Sequence, residues 1–251
     1  SAVGQIAGRV EDENRQPVAG ALVVAKRGGE AIASATTTAD GAFLLAELGA
    51  GVFRLGASHP ELLPATQDKV ATGSRAVDLT LAFGGGVAGR VRDAHSRAPL
   101  PLFSVTGQGP DGQTVQGKFA DGEFVLAPLA PGRWTLFARA RGYASKKHTV
   151  VASAGRTRGA VTQHDISVDL DLGATVAGVV RDAHGEVVAG AQVTSGEARA
   201  TTDHAGGFRL EGVAPGDAVI EASHPERGRG GITLAVRSGD EGVTLQIDLS
   251  P

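Results

Sequence analysis

Three times along this 251-residue chain the same glycines, aspartates and apolar residues return in the same order. Each copy opens on a glycine with apolar residues two positions to either side: Ile6-Ala7-Gly8-Arg9-Val10, Val87-Ala88-Gly89-Arg90-Val91 and Val176-Ala177-Gly178-Val179-Val180. An aspartate follows four residues after each glycine, at Asp12, Asp93 and Asp182. A Gly-x-Phe triplet comes next (Gly41/Phe43, Gly122/Phe124, Gly206/Phe208), and ten residues beyond each of those glycines lies another, at Gly51, Gly132 and Gly216. Self-similarity at a period of roughly 80–90 residues is too long for a solenoid repeat and marks whole duplicated domains. The chain is therefore expected to divide into residues 1–84, 85–173 and 174–251.

The last segment of each copy alternates apolar with polar residues: Val77, Leu79, Leu81, Phe83; Ile166, Val168, Leu170, Leu172; Val243, Leu245, Ile247, Leu249. Period-two alternation puts these side chains on the inward face of a strand, with Asp78, Thr80, Asp169 and Asp171 facing out. The opening segments alternate too, and place their glycine inward, where a side chain is expected to collide with the opposing sheet. Asp40-Gly41 and Asp121-Gly122 read as hairpin turns. Phe43/Leu45, Phe53/Leu55/Ala57 and their counterparts supply further inward faces, Trp134 sharing one with Leu136 and Ala138. About seven strands per unit with no amphipathic helix predict an all-β chain of two-sheet sandwiches. The joints are short: Phe83 passes through Gly84-Gly85-Gly86 into Val87, and Leu172 through Gly173-Ala174-Thr175 into Val176. An elongated rod is expected, with a softer hinge at the triple glycine.

Composition removes several kinds of chemistry. Cysteine is absent, which excludes disulfides, thiolate metal sites and cysteine nucleophiles. No segment reaches the ~18–20 unbroken apolar residues of a membrane span. Methionine is also absent, so the chain is expected to be a processed protein or a fragment of a larger one. Lys+Arg stands against Asp+Glu as 7 to 9 in residues 1–84, 11 to 7 in 85–173 and 6 to 11 in 174–251. Only the middle unit is basic, and no nucleic-acid partner is expected, because that needs a concentrated basic face. Arg outnumbers Lys by 19 to 5, which fits a GC-rich bacterial genome.

The stretches "AGRVEDENRQPVAGALV" and "TTTADGAFLLAELGAGVFRLGAS", with their two counterparts, resemble the carboxypeptidase regulatory-like domain, one of the transthyretin-like (prealbumin-like) β-sandwich group. The resemblance covers essentially the whole chain. It implies three tandem seven-stranded Greek-key β-sandwiches. The middle unit departs from the pattern: Leu102-Phe103 stands where Gly20-Ala21 and Gly190-Ala191 stand in the others.

Enzymes on the related fold can be compared residue by residue. Transthyretin-like hydrolases of purine breakdown carry a terminal Tyr-Arg-Gly-Ser beside His and Arg, whereas this chain closes on Asp248-Leu249-Ser250-Pro251 and Tyr143 precedes Ala144-Ser145. Intradiol dioxygenases hold iron with two Tyr and two His, and Tyr143 is the one tyrosine here. The Lys–Asn cross-link of pilus-type Cna B domains is barred from the last two units, since Asn14 is the one asparagine and residues 174–251 hold no lysine. No nucleophile elbow, Walker or zincin pattern occurs. No enzyme activity and no cofactor are expected.

The repeated Ser58-His59-Pro60-Glu61 and Ser223-His224-Pro225-Glu226 offer too few ligands for a firm metal site and read as turns. Asp12, Asp40, Asp93, Asp121, Asp182 and Asp203 lie in turns where calcium is conceivable, but side-chain-to-backbone bonding explains them more simply. The candidate binding patch is the basic cluster Arg139, Arg141, Tyr143, Lys146 and Lys147, with Arg156 and Arg158 near it, suited to an anionic polysaccharide or an acidic protein. The alternative reading of that cluster is a solvated edge strand kept charged against aggregation. The expected role is a non-catalytic spacer and interaction module of a bacterial envelope or surface protein, extracytoplasmic, and monomeric or part of a longer chain. The rivals are anionic-polysaccharide or partner binding through the middle unit, and an accessory part of a larger peptidase or transporter.

Overall fold

The computed structural model describes residues 3–241 and 243–250. The first unit runs β1 (Val3–Asp12), β2 (Leu22–Arg27), β3 (Glu30–Thr36), β4 (Ala42–Gly49), β5 (Val52–His59), β6 (Leu62–Ala71) and β7 (Val77–Leu81). The middle unit repeats the order with β8 (Gly85–Asp93), β9 (Leu102–Gln108), β10 (Thr114–Ala120), β11 (Glu123–Leu129), β12 (Gly132–Arg139), β13 (Lys146–Ala152) and β14 (Gln163–Leu170). The third holds β15 (Ala174–Arg181), β16 (Gln192–Ser195), β17 (Ala198–Thr201), β18 (Gly207–Val213), β19 (Gly216–His224), β20 (Gly228–Val236) and β21 (Val243–Asp248). One short 3-10 turn, Pro110–Gly112, is the only helical element among the described residues, and no helix there is long and apolar enough to cross a membrane.

Each unit is a sandwich of a three-stranded and a four-stranded sheet. In the first the orders are β4-β1-β7 and β3-β2-β5-β6, and the other two repeat both. Strand β1 pairs antiparallel with β4 but parallel with β7, and β8/β14 and β15/β21 do the same. Alternation in sequence becomes alternation in burial: β7 buries Val77, Leu79 and Leu81 and exposes Asp78 and Thr80. Three separate apolar clusters result, with Leu55, Leu136 and Ile220 at the same place in each and at most 1 % exposed. Leu172 departs from the expected inward row. Strand β14 ends at Leu170, and Leu172 lies in the joint, 43 % exposed.

The glycine of each opening strand is forced by a close approach, but from a different direction than expected. A Cβ on Gly8 would stand 2.0 Å from the Val77 carbonyl oxygen and 2.9 Å from the Phe43 ring. Gly89 meets the Ile166 carbonyl and Phe124, and Gly178 the Leu245 carbonyl and Phe208. These neighbours are the flanking strands of the same sheet, not the opposing one. A phenylalanine ring from β4, β11 or β18 occupies the space that a side chain would have taken.

The triple glycine is likewise a packed joint. Gly84, Gly85 and Gly86 are buried. A Cβ on Gly85 would sit 1.9 Å from the Ser153 carbonyl oxygen. The segment between β13 and β14 lies over this joint, and Thr162 N–H donates to the Gly86 carbonyl at 2.8 Å. The expected soft hinge presupposed open glycines, and these are enclosed.

Packing at the first-strand glycine predicts a contrast between two alanine substitutions. Gly89→Ala should lower stability by about 1–3 kcal/mol, the usual cost of overfilling a core. Gly49→Ala, where a Cβ meets nothing within 4 Å, should change it by less than about 1 kcal/mol. Thermal unfolding of the two variants checks this, and equal effects would remove close approach as the reason for the glycine.

Candidate functional site

The repeated aspartates are buried, and each divides its two oxygens between two tasks. Asp12 Oδ1 accepts from Asn14 N–H and Gln16 N–H at 3.0 Å. Asp182 Oδ1 accepts from His184 N–H and Glu186 N–H at 2.9 and 3.0 Å. Asp93 Oδ1 accepts from His95 N–H and from the N–H and Oγ–H of Ser96. This ties off the first turn of each unit. The second oxygen takes a distant partner: Arg158 for Asp12, the Tyr143 hydroxyl for Asp93 at 2.9 Å, and Arg227 for Asp182. Hydrogen bonds from Ser96, its backbone N–H first, with the Tyr143 hydroxyl and His95, hold the Asp93 carboxyl down at about 2. Burial pushes the Tyr143 phenol up, and its bond to Asp93 adds to the rise.

Other turn residues are similarly engaged. Asp203 Oδ1 accepts from Ala205 N–H and Gly207 N–H, and Asp40 accepts from the Thr38 hydroxyl. His59 Nδ1 accepts from Glu61 N–H and His224 Nδ1 from Glu226 N–H, both at 3.2 Å. The two Ser-His-Pro-Glu stretches thus close turns with their imidazoles. Among the described residues no three His, Asp or Glu converge as a metal-binding group.

The candidate patch is built where the middle unit departs from its neighbours. In the outer units a buried threonine pins the approach to the second strand: Thr37 Oγ1 donates to the Val18 carbonyl and accepts from Ala21 N–H, and Thr202 does the same with Val188 and Ala191. Gly20 and Gly190 turn there with φ of 75° and 76°. In the middle unit Leu102 replaces that glycine, and Phe119, paired with Phe103, takes the place of the threonine, so the turn is drawn into the sheet. Ala120 pairs with Leu102, Lys118 with Ser104, and Ser104 with Arg139. Leu102 is left 68 % exposed. A groove of about 390 Å³ opens beside it, lined by Leu102, Lys118, Arg139, Arg141 and Tyr143.

Within the predicted cluster the residues divide. Arg139 forms an ion pair with Glu197 of the third unit. Lys146 donates to the Asp169 carbonyl at 2.8 Å and lies 4.0 Å from Asp171. Tyr143 is half-buried, its hydroxyl on Asp93. Arg141 and Lys147 are exposed and make no hydrogen bond or ion pair among the described residues. Arg156 is exposed in the segment after β13, and Arg158 is turned away into the first unit. Sequence reading missed Leu102 and Lys118 as members of this groove. The signal for Leu102 was the departure from the repeat at its position, where a turn glycine stands in the other units; Lys118 is brought beside it by the pairing of β10 with β9.

Tandem sandwiches of this design, closed by a parallel pairing of first and last strands, form a class of β-sandwich domain arrays. The model of the carboxypeptidase regulatory-like domain matches the chain three times, over residues 5–83, 86–165 and 175–250. The chain belongs to that family. Among solved structures it is similar to the Bacillus anthracis TIE protein, at 15% identity and a TM-score of 0.32, over 100% of this chain and 52% of that one. It therefore spans about half the length of that protein. BcpA, the major pilin subunit of Bacillus cereus, is matched at 10% identity and a TM-score of 0.28, over 99% of this chain and 100% of that one. GBS52, the minor pilin of Streptococcus agalactiae, is matched at 12% identity and a TM-score of 0.35, over 66% of this chain and 95% of that one. No curated protein sequence matches the chain.

The Tyr143–Asp93 bond predicts a pH-dependent contribution with a definite sign. The Asp93 carboxyl is depressed in the folded chain, so its stabilisation is present above the unfolded carboxylate value near 4 and is lost as pH falls toward about 2. Tyr143→Phe should lower the unfolding temperature of the middle unit at pH 6–7, and the gap from the parent should close as pH approaches about 2. A gap that persists unchanged at acid pH would mean that the hydroxyl acts through packing and not through the carboxylate.

Proposed function

We propose that the chain is a non-catalytic spacer and interaction module of a bacterial envelope or surface protein, placed outside the cytoplasm. In this reading residues 1–84, 85–173 and 174–251 are successive domains set end to end. One observation carries it: the first and last strands of each unit run parallel. The chain therefore enters a sandwich at one end and leaves at the other, and short joints favour extension over folding back. The residues common to all three units support the non-catalytic part. Gly8, Gly89 and Gly178 admit a neighbouring strand, and Asp12, Asp93 and Asp182 tie turns. Each shared polar residue has a structural task.

Small-angle scattering tests the arrangement. Three units of about 30 Å give a maximum dimension near 90 Å, whereas a compact globule of this length has a radius of gyration of only about 18 Å. A radius of gyration well above that value is the expected result, and a value at it would end the spacer reading.

A second reading assigns the middle-unit groove to an acidic partner protein. Exposed Leu102 supplies an apolar anchor, and Arg141 and Lys118 supply charge around it. An acidic model peptide containing leucine should bind the full chain, with affinity falling at least tenfold in the variant Leu102→Ser/Arg141→Gln and falling further with added salt. Binding indifferent to both changes would reject this role.

A further inference from the structure

We infer that the first unit carries a second, separate binding site, for an acidic polysaccharide, on the outer face of its four-stranded sheet. A groove of about 750 Å³ crosses the ends of β2, β5 and β6, and Lys26, Arg27, Arg54 and Lys69 line it against a single carboxylate, Asp68. The unit as a whole is acidic, so this concentration of positive charge is local. Arg27 lies over the Phe53 ring at 4.2 Å and donates to the Gly49 and Ala50 carbonyls. Arg54 reaches Asp68 at 3.4 Å and the Thr66 hydroxyl at 3.3 Å. Lys26 and Lys69 are exposed and make no hydrogen bond or ion pair among the described residues.

Three features of this groove run against stability, and none of them is required by the fold. Lys26 and Arg54 are direct cross-strand partners, and like charges placed opposite each other destabilise a sheet. Opposite Arg54, β6 carries a bulge between Val70 and Gln67, within which Lys69 adopts φ of 59°. Bulges re-aim side chains, and the left-handed region is costly for a residue with a Cβ. The floor is Gly56, whose φ is not left-handed and whose missing Cβ would meet only Thr66 Cγ2 at 3.9 Å. The glycine keeps the groove open and nothing in the backbone demands it.

The other two units serve as controls, because they carry the same sheet. In the middle unit the cross-strand pair is Gln108–Thr135, Phe137 stands at the place of Gly56, and β12 pairs with β13 without a bulge. In the third, Val219 and Glu221 stand at the places of Arg54 and Gly56, and β19 pairs with β20 in unbroken register. The scaffold thus closes properly without the like-charge pair, the bulge or the open floor. Their joint presence in one unit makes its groove cationic, whereas a groove of about 550 Å³ on the same sheet of the third unit is lined by Glu221 and a single cation, Arg229. The one aromatic ring near it, Phe53, is buried beneath Arg27. Apart from Val52 at the start of β5, the lining offers no exposed apolar side chain, and it holds neither Trp nor Tyr, the residues that with Arg most often anchor protein partners. A groove with cations around a glycine floor matches a ligand of hydroxyls and spaced carboxylates or sulfates instead.

The test uses the full chain with end-labelled oligogalacturonate and with dextran sulfate, read by fluorescence anisotropy. Poly-glutamate and an uncharged galactan serve as comparison ligands. At least one acidic polysaccharide should bind, weaken at least roughly fivefold between low and physiological salt, and exceed both comparison ligands. The variant Lys26→Gln/Arg54→Gln/Lys69→Asn should lose at least tenfold in affinity, with an unfolding temperature equal to or above that of the parent. Gly56→Phe, which copies the middle unit, should lose binding by filling the floor, and the charge variant alone decides if that one fails to fold. Absence of binding by both acidic polysaccharides would overturn the inference. So would binding unaffected by the charge variant, or poly-glutamate bound as tightly as the polysaccharides. The result is independent of the middle-unit groove, since none of these substitutions lies in that unit.

Discussion

The array depends on two strands, the first and the last of each unit, lying side by side and pointing the same way. Parallel neighbours cannot be joined by a hairpin, so the chain crosses to the other sheet and returns before it can place the last strand. The contact is tight enough that the first strand carries a glycine where the Val77 carbonyl of β7 crosses it. Because β1 and β7 are parallel, the end of one unit already points away from its own beginning. Antiparallel first and last strands would return the chain to its starting end and call for a long linker before the next unit. Here Phe83, in the first core, is followed by Gly85 at the start of β8 with a single residue between.

Within that frame one of the buried aspartates, Asp12, ties two neighbouring units together. Each must satisfy an oxygen that the turn leaves over, because an unpartnered buried acceptor is costly. In the third unit Arg227, three residues beyond His224, supplies the partner. The equivalent residue of the first unit is Leu62, which is buried in the core at 1 % exposure. Asp12 is instead completed from outside. Arg158 of the middle unit reaches it through both Nε and Nη2, and also donates to the Pro17 carbonyl at 3.2 Å. Burial alone would raise the Asp12 carboxyl, but the Gln16 N–H, Arg158 and the Asn14 N–H together pull it below its ordinary value. The first joint is thus closed by a largely buried ion pair. Across the second joint the ion pair is Arg139–Glu197, with both side chains about half exposed, accompanied by the Ser238 hydroxyl on the Leu172 carbonyl.

What could be read from sequence, and what could not, follows the range of the interactions involved. The inward rows Val77/Leu79/Leu81 and Phe53/Leu55/Ala57 were legible because the side-chain period of a strand is a local property. The requirement for glycine at position 8 was also legible, but its cause was not, since parity gives a direction and not the neighbour that stands there. Gly84–Gly86 read as a hinge because the segment that encloses them, residues 153–162, is distant in sequence. The patch in the middle unit was visible as a run of cations. That Arg139 is paired with Glu197 and Lys146 with backbone and Asp171 depends on contacts 58 and about 25 residues away. The cationic groove of the first unit was hidden for the same reason. Its members come from three strands and are diluted by the acidic balance of residues 1–84.

Three copies of one scaffold in a single chain also separate what the fold needs from what it merely tolerates. Residues at matching inward and turn positions agree: glycine in the first strand, aspartate at its end, phenylalanine after the Gly-x-Phe turn. At matching positions on the outer face of the four-stranded sheet they differ: Arg54 and Gly56, Thr135 and Phe137, Val219 and Glu221. A chain extended only for length has no physical need for such differences, and least of all for ones that oppose like charges across a strand pair. Selective loss of the threonine clasp in the middle unit follows the same logic, since it leaves Leu102 exposed beside a groove. The parallel closing strands fix where each unit begins and ends, while each outer face is left free to acquire its own surface chemistry without disturbing the core beneath.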